Sequence, residues 1–194
     1  MNQLRILVLF FLSTGLLVQL SGCAVAGAGI VATGATAAHD RRTTGTFIDD
    51  ELIEFKVLDR VRSNAQIWEQ THLNATSFNN IVLLTGETPS EMFKTTIGQL
   101  AAGIQKVRKV HNEIVIAAPS SMLSRSGDSW ITGKVKTELL NKMGTQAIRV
   151  KIITEKGVVY LLGIMSPDDA EKATELTRRI GGVERVVRLF EFSG

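Results

Sequence analysis

The most constraining feature of this chain is that two stretches of it repeat in the same order. Asp50-Glu51-Leu52-Ile53-Glu54-Phe55-Lys56-Val57 aligns with Asp128-Ser129-Trp130-Ile131-Thr132-Gly133-Lys134-Val135, and Asp, Ile, Lys and Val coincide at a shift of 78. The apolar run Ile81 to Gly86 then meets Val158 to Gly163 at a shift of 77, and Val107 to Val110 meets Val183 to Val186 at 76. A shift that drifts by one residue per block is the mark of duplication followed by small loop changes. Each copy is about 70 residues, a size that folds alone.

Both copies read locally as α-β-β-α-β. A first helix starts after an Asp or Ser cap, over about Asp50 to Asn64 and Ser129 to Lys142. A strand follows, His72 to Phe78 or Ile148 to Thr154, with alternating apolar positions in the second copy. Asn79-Asn80 and Lys156-Gly157 supply hairpin turns into the near-continuous apolar strands Ile81 to Thr85 and Val158 to Leu162. Thr88-Pro89-Ser90-Glu91 reads as a capping box with Pro at the first helical position, and Ser166-Pro167-Asp168-Asp169 as a Ser cap with acid in the first turn. Final strands cover Lys109 to Ala117 and Arg185 to Phe192. The expected fold is α+β: two tandem units, each a three-stranded sheet covered by two helices.

The residues before the repeat carry an address. Arg5 and the apolar run Ile6 to Leu17 have the form of a secretory signal, too short for the ~20 residues of a spanning helix. Leu20-Ser21-Gly22-Cys23 matches the lipobox of bacterial lipoproteins, in which the Cys thiol takes a diacylglycerol and the signal is cut before it. Cys23 is the chain's one cysteine, which excludes an internal disulfide and a cysteine-rich zinc site. Ala24, rather than Asp, follows it, which directs a lipoprotein of this type to the outer membrane, facing the periplasm. The expected organisation is signal peptide 1–22, lipidated Gly/Ala-rich tether 23–46, first domain 47–117, polar linker 118–127 and second domain 128–194. The signal accounts for much of the mean hydropathy of +0.14. Gly27, Gly29 and Gly34 in the tether lack the preceding strand and the Gly-Lys-Ser/Thr of a phosphate loop.

The repeated unit, its apolar strand ending in Gly86 or Gly163 and its closing Gly182-Val183-Glu184-Arg185-Val186, resembles a BON domain (bacterial OsmY and nodulation). Two such units behind a lipobox resemble the dual-BON outer-membrane lipoproteins. The block Asp128 to Thr132, Lys134-Val135 and Leu139-Leu140 carries the resemblance most specifically.

No catalytic constellation is present. His39 lies in the tether, while His72 and His111 begin strands, so the three histidines look scattered, with no acid cluster beside them. Neither a metal site nor a cofactor is expected, and Asp168-Asp169 are explained by helix capping. The net charge of +3 does not demand a nucleic-acid partner. It is unevenly placed: His39 to Ser120 holds nine Lys and Arg against ten Asp and Glu, whereas Ser121 to Gly194 holds twelve against nine.

The candidate binding face is the second copy's first helix. Trp130, Lys134, Thr137 and Asn141 share one face, Lys136 and Leu140 form a second i, i+4 pair, and Ile131, Val135 and Leu139 point to the core. An indole beside ammonium groups suits an anionic bilayer surface; packing of Trp130 between the two units is the structural alternative. The first copy has Leu52, Lys56 and Leu58 at the matching positions, with Glu51 and Asp59 nearby, and so serves as a control. Trp68 falls outside the repeat register and reads as core or inter-domain packing. The resemblance implies binding of anionic phospholipid, phosphatidylglycerol or cardiolipin, through Trp130, Lys134, Lys136 and Leu140, and a role in envelope integrity and at the division site. The alternative is a periplasmic adaptor that docks envelope proteins without specific lipid recognition. A secreted cytolysin is disfavoured, because no long amphipathic or pore-forming segment is evident.

Overall fold

The computed structural model describes residues 43–118 and 122–192. The signal peptide, Cys23, His39 and most of the tether lie outside the described residues.

The first unit opens with α1 (Thr44–Arg62), followed by a single helical turn, α2 (Ala65–Trp68). The hairpin β1 (His72–Phe78) and β2 (Ile81–Thr88) comes next, then α3 (Glu91–Ala102), β3 (Lys109–Asn112) and the short β4 (Val115–Ile116). The second unit repeats the order with α4 (Met122–Met143), a 3-10 segment (Gly144–Arg149), β5 (Lys151–Glu155), β6 (Val158–Met165), α5 (Pro167–Arg178) and β7 (Arg185–Phe192). In each sheet the central strand pairs antiparallel with the first strand and parallel with the last. That is the expected α+β architecture.

The helices form because apolar residues recur every three to four positions and find a sheet to cover. Ile53, Val57 and Val61 of α1 are buried with Phe93, Ile97 and Ala101 of α3 over Val82 and Leu84. Ile131, Val135 and Leu139 of α4 are buried with Ala170 and Ala173 of α5 over Val159 and Leu161. Residues at the shifts noted above therefore occupy equivalent core positions.

The other face of each sheet is also covered. Phe78 and Leu83 from the first unit form one buried cluster with Tyr160 and Leu162 from the second, flanked by Ile153, Val158, Val187 and Leu189. The layer order is helix, sheet, sheet, helix. This explains why β2 and β6 are apolar at consecutive positions: both of their faces are buried, so alternation is lost. Cross-unit polar contacts rim the interface, with Lys151 Nζ 2.8 Å from Glu54 Oε1 and Arg108 Nη2 2.8 Å from Glu191 Oε1.

Several boundaries differ from the sequence reading. Helix α1 begins at Thr44, inside the stretch read as tether, and its cap is Thr43, whose hydroxyl accepts from Thr46 N at 3.1 Å. Asp50 is therefore no cap but a buried residue in the second turn of the helix. Helix α4 begins at Met122, inside the stretch read as polar linker. Met, Leu and Arg there are good helix formers, and extending a formed helix is far easier than starting one. Ile148 belongs to the 3-10 segment, and the strand starts only at Lys151. The cap of α3 is Ser90, whose hydroxyl accepts from Phe93 N at 3.3 Å, so Pro89 precedes the cap and Thr88 ends β2. Ser166 caps α5 with Pro167 at its first turn, as read. The last strand of the first unit is broken between β3 and β4, where Ile114 turns into the core.

Candidate functional site

Helix α4 presents its apolar core stripe to β5 and β6 and leaves its opposite side open. Trp130 is 70% exposed on that side and does not pack between the units. It lines a groove of about 880 Å³ between α4 and α5, together with Lys134, Thr137, Lys142, Leu176, Arg179 and Ile180. Leu176 and Ile180 give the floor apolar surface. Lys134, Lys142 and Arg179 set three positive charges around it, against one acid, Glu138, among the described lining residues. Lys142 and Arg178 also lie in the last turns of their helices, where the carbonyl end of the helix dipole favours cations.

Lys134 Nζ donates to the Gly181 carbonyl, which holds the ammonium over the loop that follows α5. An ammonium has three donors, so this contact leaves two for an incoming anion. Lys136 and Leu140 are exposed as well, Leu140 at 50%, but they do not line the groove. The four residues singled out from sequence thus divide into a groove pair, Trp130 and Lys134, and a pair one helical face away. Sequence reasoning missed Lys142, Leu176, Arg179 and Ile180. Only the packing of α5 beside α4 brings them in, and the one local hint was the basic end of each helix.

The first unit is not a plain control. Ile48, Leu52 and Phe55 of α1, at i, i+4 and i+7, form an exposed apolar stripe, with Phe55 65% exposed. Asp49 beside it is paired with Lys106 at 2.8 Å. Trp68 packs against the first unit's core with the Arg62 guanidinium 4.7 Å from its ring centroid, so it takes the core role and not the inter-domain one.

The histidines are not all isolated. His72 meets Glu87 and Glu155, with one potential ligand atom from each lying within 4.8 Å of the others. This corrects the expectation that no acid cluster accompanies a histidine: the two acids come from β2 and from the other unit, at separations that sequence spacing does not reveal. His111 lies in β3, and burial, aided by Lys109, pushes its imidazole below the usual value, which favours the neutral ring. Among the described residues no helix is long and apolar enough to cross a membrane.

Comparison with known proteins agrees with the duplication. The BON domain family profile matches residues 49–118 and again 127–194. The chain is 39% identical over 178 residues to the outer membrane lipoprotein DolP of Haemophilus influenzae, covering 92% of each chain. It is 36% identical over 153 residues to a 21 kDa hemolysin of Actinobacillus pleuropneumoniae, covering 79% of each. It is 26% identical over 145 residues to the osmotically inducible protein Y of Escherichia coli, covering 73% of this chain and 72% of that one. With two matched segments that together span most of its length, the chain belongs to the BON domain family.

Proposed function

We propose that this protein is a non-enzymatic outer-membrane lipoprotein, anchored through Cys23 on the periplasmic face, whose second BON domain binds anionic phospholipid. The address comes from the lipobox and from the relative named as an outer membrane lipoprotein. The observation that carries the lipid reading is Trp130, exposed and lining a groove that Lys134, Lys142 and Arg179 make positive. An indole gains by moving from water to the headgroup level of a bilayer. Basic residues near an anionic surface contribute about 1 kcal/mol each. Leu176 and Ile180 give the groove an apolar floor that a glycerol backbone or the start of an acyl chain fills. Lys136 and Leu140 extend the contact along α4 when the helix lies against the surface. Phosphatidylglycerol and cardiolipin fit this chemistry, and the reading carries with it a role in envelope integrity and at division sites where such lipids gather.

The test is vesicle flotation of a chain starting at Ala24, which lacks the anchor cysteine. Wild-type protein rises with phosphatidylglycerol vesicles and stays down with phosphatidylcholine vesicles, and Trp130→Glu stays down with both. Equal flotation of wild type and Trp130→Glu on anionic vesicles contradicts the site. A second reading, an adaptor for envelope proteins, rests on the exposed stripe Ile48, Leu52 and Phe55 of α1. Under that reading Phe55→Glu, and not Trp130→Glu, abolishes function in cells.

A further inference from the structure

Where the two sheets meet, His72 of β1, Glu87 of β2 and Glu155 of β5 converge although β1 and β5 are far apart in sequence. His72 Nδ1 lies 3.0 Å from Glu87 Oε2 and 4.0 Å from Glu155 Oε1. Glu87 is fully buried and Glu155 is 8% exposed. The other oxygen of each carboxylate is held by a donor from the opposite unit. Asn74 Nδ2 of the first unit donates to Glu155 Oε2 at 2.9 Å, and Lys156 Nζ of the second lies 2.9 Å from Glu87 Oε1. These crossed contacts fix both carboxylates so that one oxygen of each faces the His72 ring.

Acidic side chains gather around this point. Asp128 lines the same cavity of about 370 Å³, which is also bounded by Ser129, Thr132 and Thr154. Glu155 thus has two further carboxylates close by, Glu87 and Asp128, while Lys156 Nζ pairs with Glu87. Two buried carboxylates within 4.8 Å of one another gain from a bound cation.

We propose that His72 Nδ1, Glu87 Oε2 and Glu155 Oε1 form a three-ligand site for a divalent transition cation of the zinc class, which ties the two BON domains together. An imidazole with two carboxylates suits zinc or its first-row neighbours, whereas magnesium and calcium prefer all-oxygen shells. Ligand lengths of 2.0–2.2 Å around a tetrahedral ion place ligand atoms about 3.3 Å apart. The His72–Glu87 pair is already near that spacing, and the widest gap among the three ligand atoms, within 4.8 Å, closes by about 1.5 Å or less. Asn74 and Lys156 act as the outer partners that orient the ligating carboxylates. The adjoining cavity leaves room for water in the fourth position.

Calorimetric titration of the purified, chelator-treated protein with zinc chloride tests this, alongside Glu155→Gln and His72→Gln. Both variants keep side-chain size, and circular dichroism checks that they fold. The expected result is one zinc per chain, a higher melting temperature with zinc, and affinity reduced more than about tenfold in both variants. Absence of stoichiometric zinc binding overturns the proposal, as does binding unchanged in both variants, which places the ion elsewhere. A rise in melting temperature with magnesium equal to that with zinc overturns the assignment to a transition cation.

Discussion

Asp128 and Gly157 are joined across the second domain: the Gly157 amide donates to Asp128 Oδ1 at 2.9 Å, and the neighbouring Lys156 amide donates to Oδ2 at 2.8 Å. The first domain repeats the arrangement. Asp50 accepts from Asn80 N at 2.7 Å, Asn79 N at 2.8 Å and Ser77 Oγ at 2.7 Å. Each aspartate projects from the first helix and closes the tip of the hairpin beneath it. Both tips need that support, because Asn79, Asn80, Lys156 and Gly157 all have positive φ, the paired left-handed geometry of a two-residue hairpin turn.

Replacing either aspartate leaves turn amides, buried at Gly157 and part-buried at Asn79, Asn80 and Lys156, without their acceptor. Asp50→Ala and Asp128→Ala are each expected to lose about 2–4 kcal/mol of stability, with Asp50 the costlier because it holds three donors. Urea denaturation followed by circular dichroism measures this. A loss below about 0.5 kcal/mol, the level of an ordinary surface change, contradicts the clamp.

The duplication, and with it the fold, was legible because the repeated positions are core positions. Ile53 and Ile131, and Val57 and Val135, occupy the same places in the two domains. The role of Asp50 and Asp128 was not legible. An aspartate near a helix start is read as a cap, and only the hairpin folded beneath it reveals the bond. The sheet-to-sheet contact of Leu83 with Tyr160 and Leu162 was hidden for a related reason: an apolar strand announces burial on both faces without naming what covers the second. At the candidate site, Trp130 and Lys134 could be found by helical spacing, whereas Lys142, Arg179 and Ile180 depend on how two helices pack. The His72 cluster spans both domains, and no local pattern encodes it.

Gly86 closes the apolar run of the first copy for a steric reason. Its φ is +118°, and a Cβ there falls 1.9 Å from the His72 carbonyl oxygen. At Gly163, its counterpart, the added atom falls 2.7 Å from the Arg149 carbonyl oxygen, without the positive φ. Gly86→Ala is expected to cost about 3–5 kcal/mol, combining backbone strain and overlap, and Gly163→Ala about 1–3 kcal/mol from overlap. Thermal melts of the two variants give the order directly, and a more stable Gly86→Ala reverses it.

Tyr160, 3% exposed in the cluster between the sheets, has its phenol pushed up to about 12, chiefly by burial. The folded state thus holds this proton more tightly than the unfolded chain, whose phenol titrates near 10. The resulting stability is complete below about pH 10 and is lost as the pH rises towards 12, to a total of about 3 kcal/mol. Tyr160→Phe is expected to flatten this alkaline limb. Tyr160 is the chain's one tyrosine, so phenolate absorbance follows it without interference. A midpoint near 10 in the folded protein contradicts the burial argument.

The chain holds two tryptophans, Trp68 and Trp130. A Trp68→Phe background makes Trp130 the only indole emitter, so its fluorescence with vesicles tests the lipid account most directly. In a chain starting at Ala24, phosphatidylglycerol vesicles are predicted to shift Trp130 emission to the blue, and brominated acyl chains to quench it. Phosphatidylcholine vesicles are predicted to do neither. Emission that stays at the wavelength of a water-exposed indole throughout the phosphatidylglycerol titration contradicts membrane binding through this face.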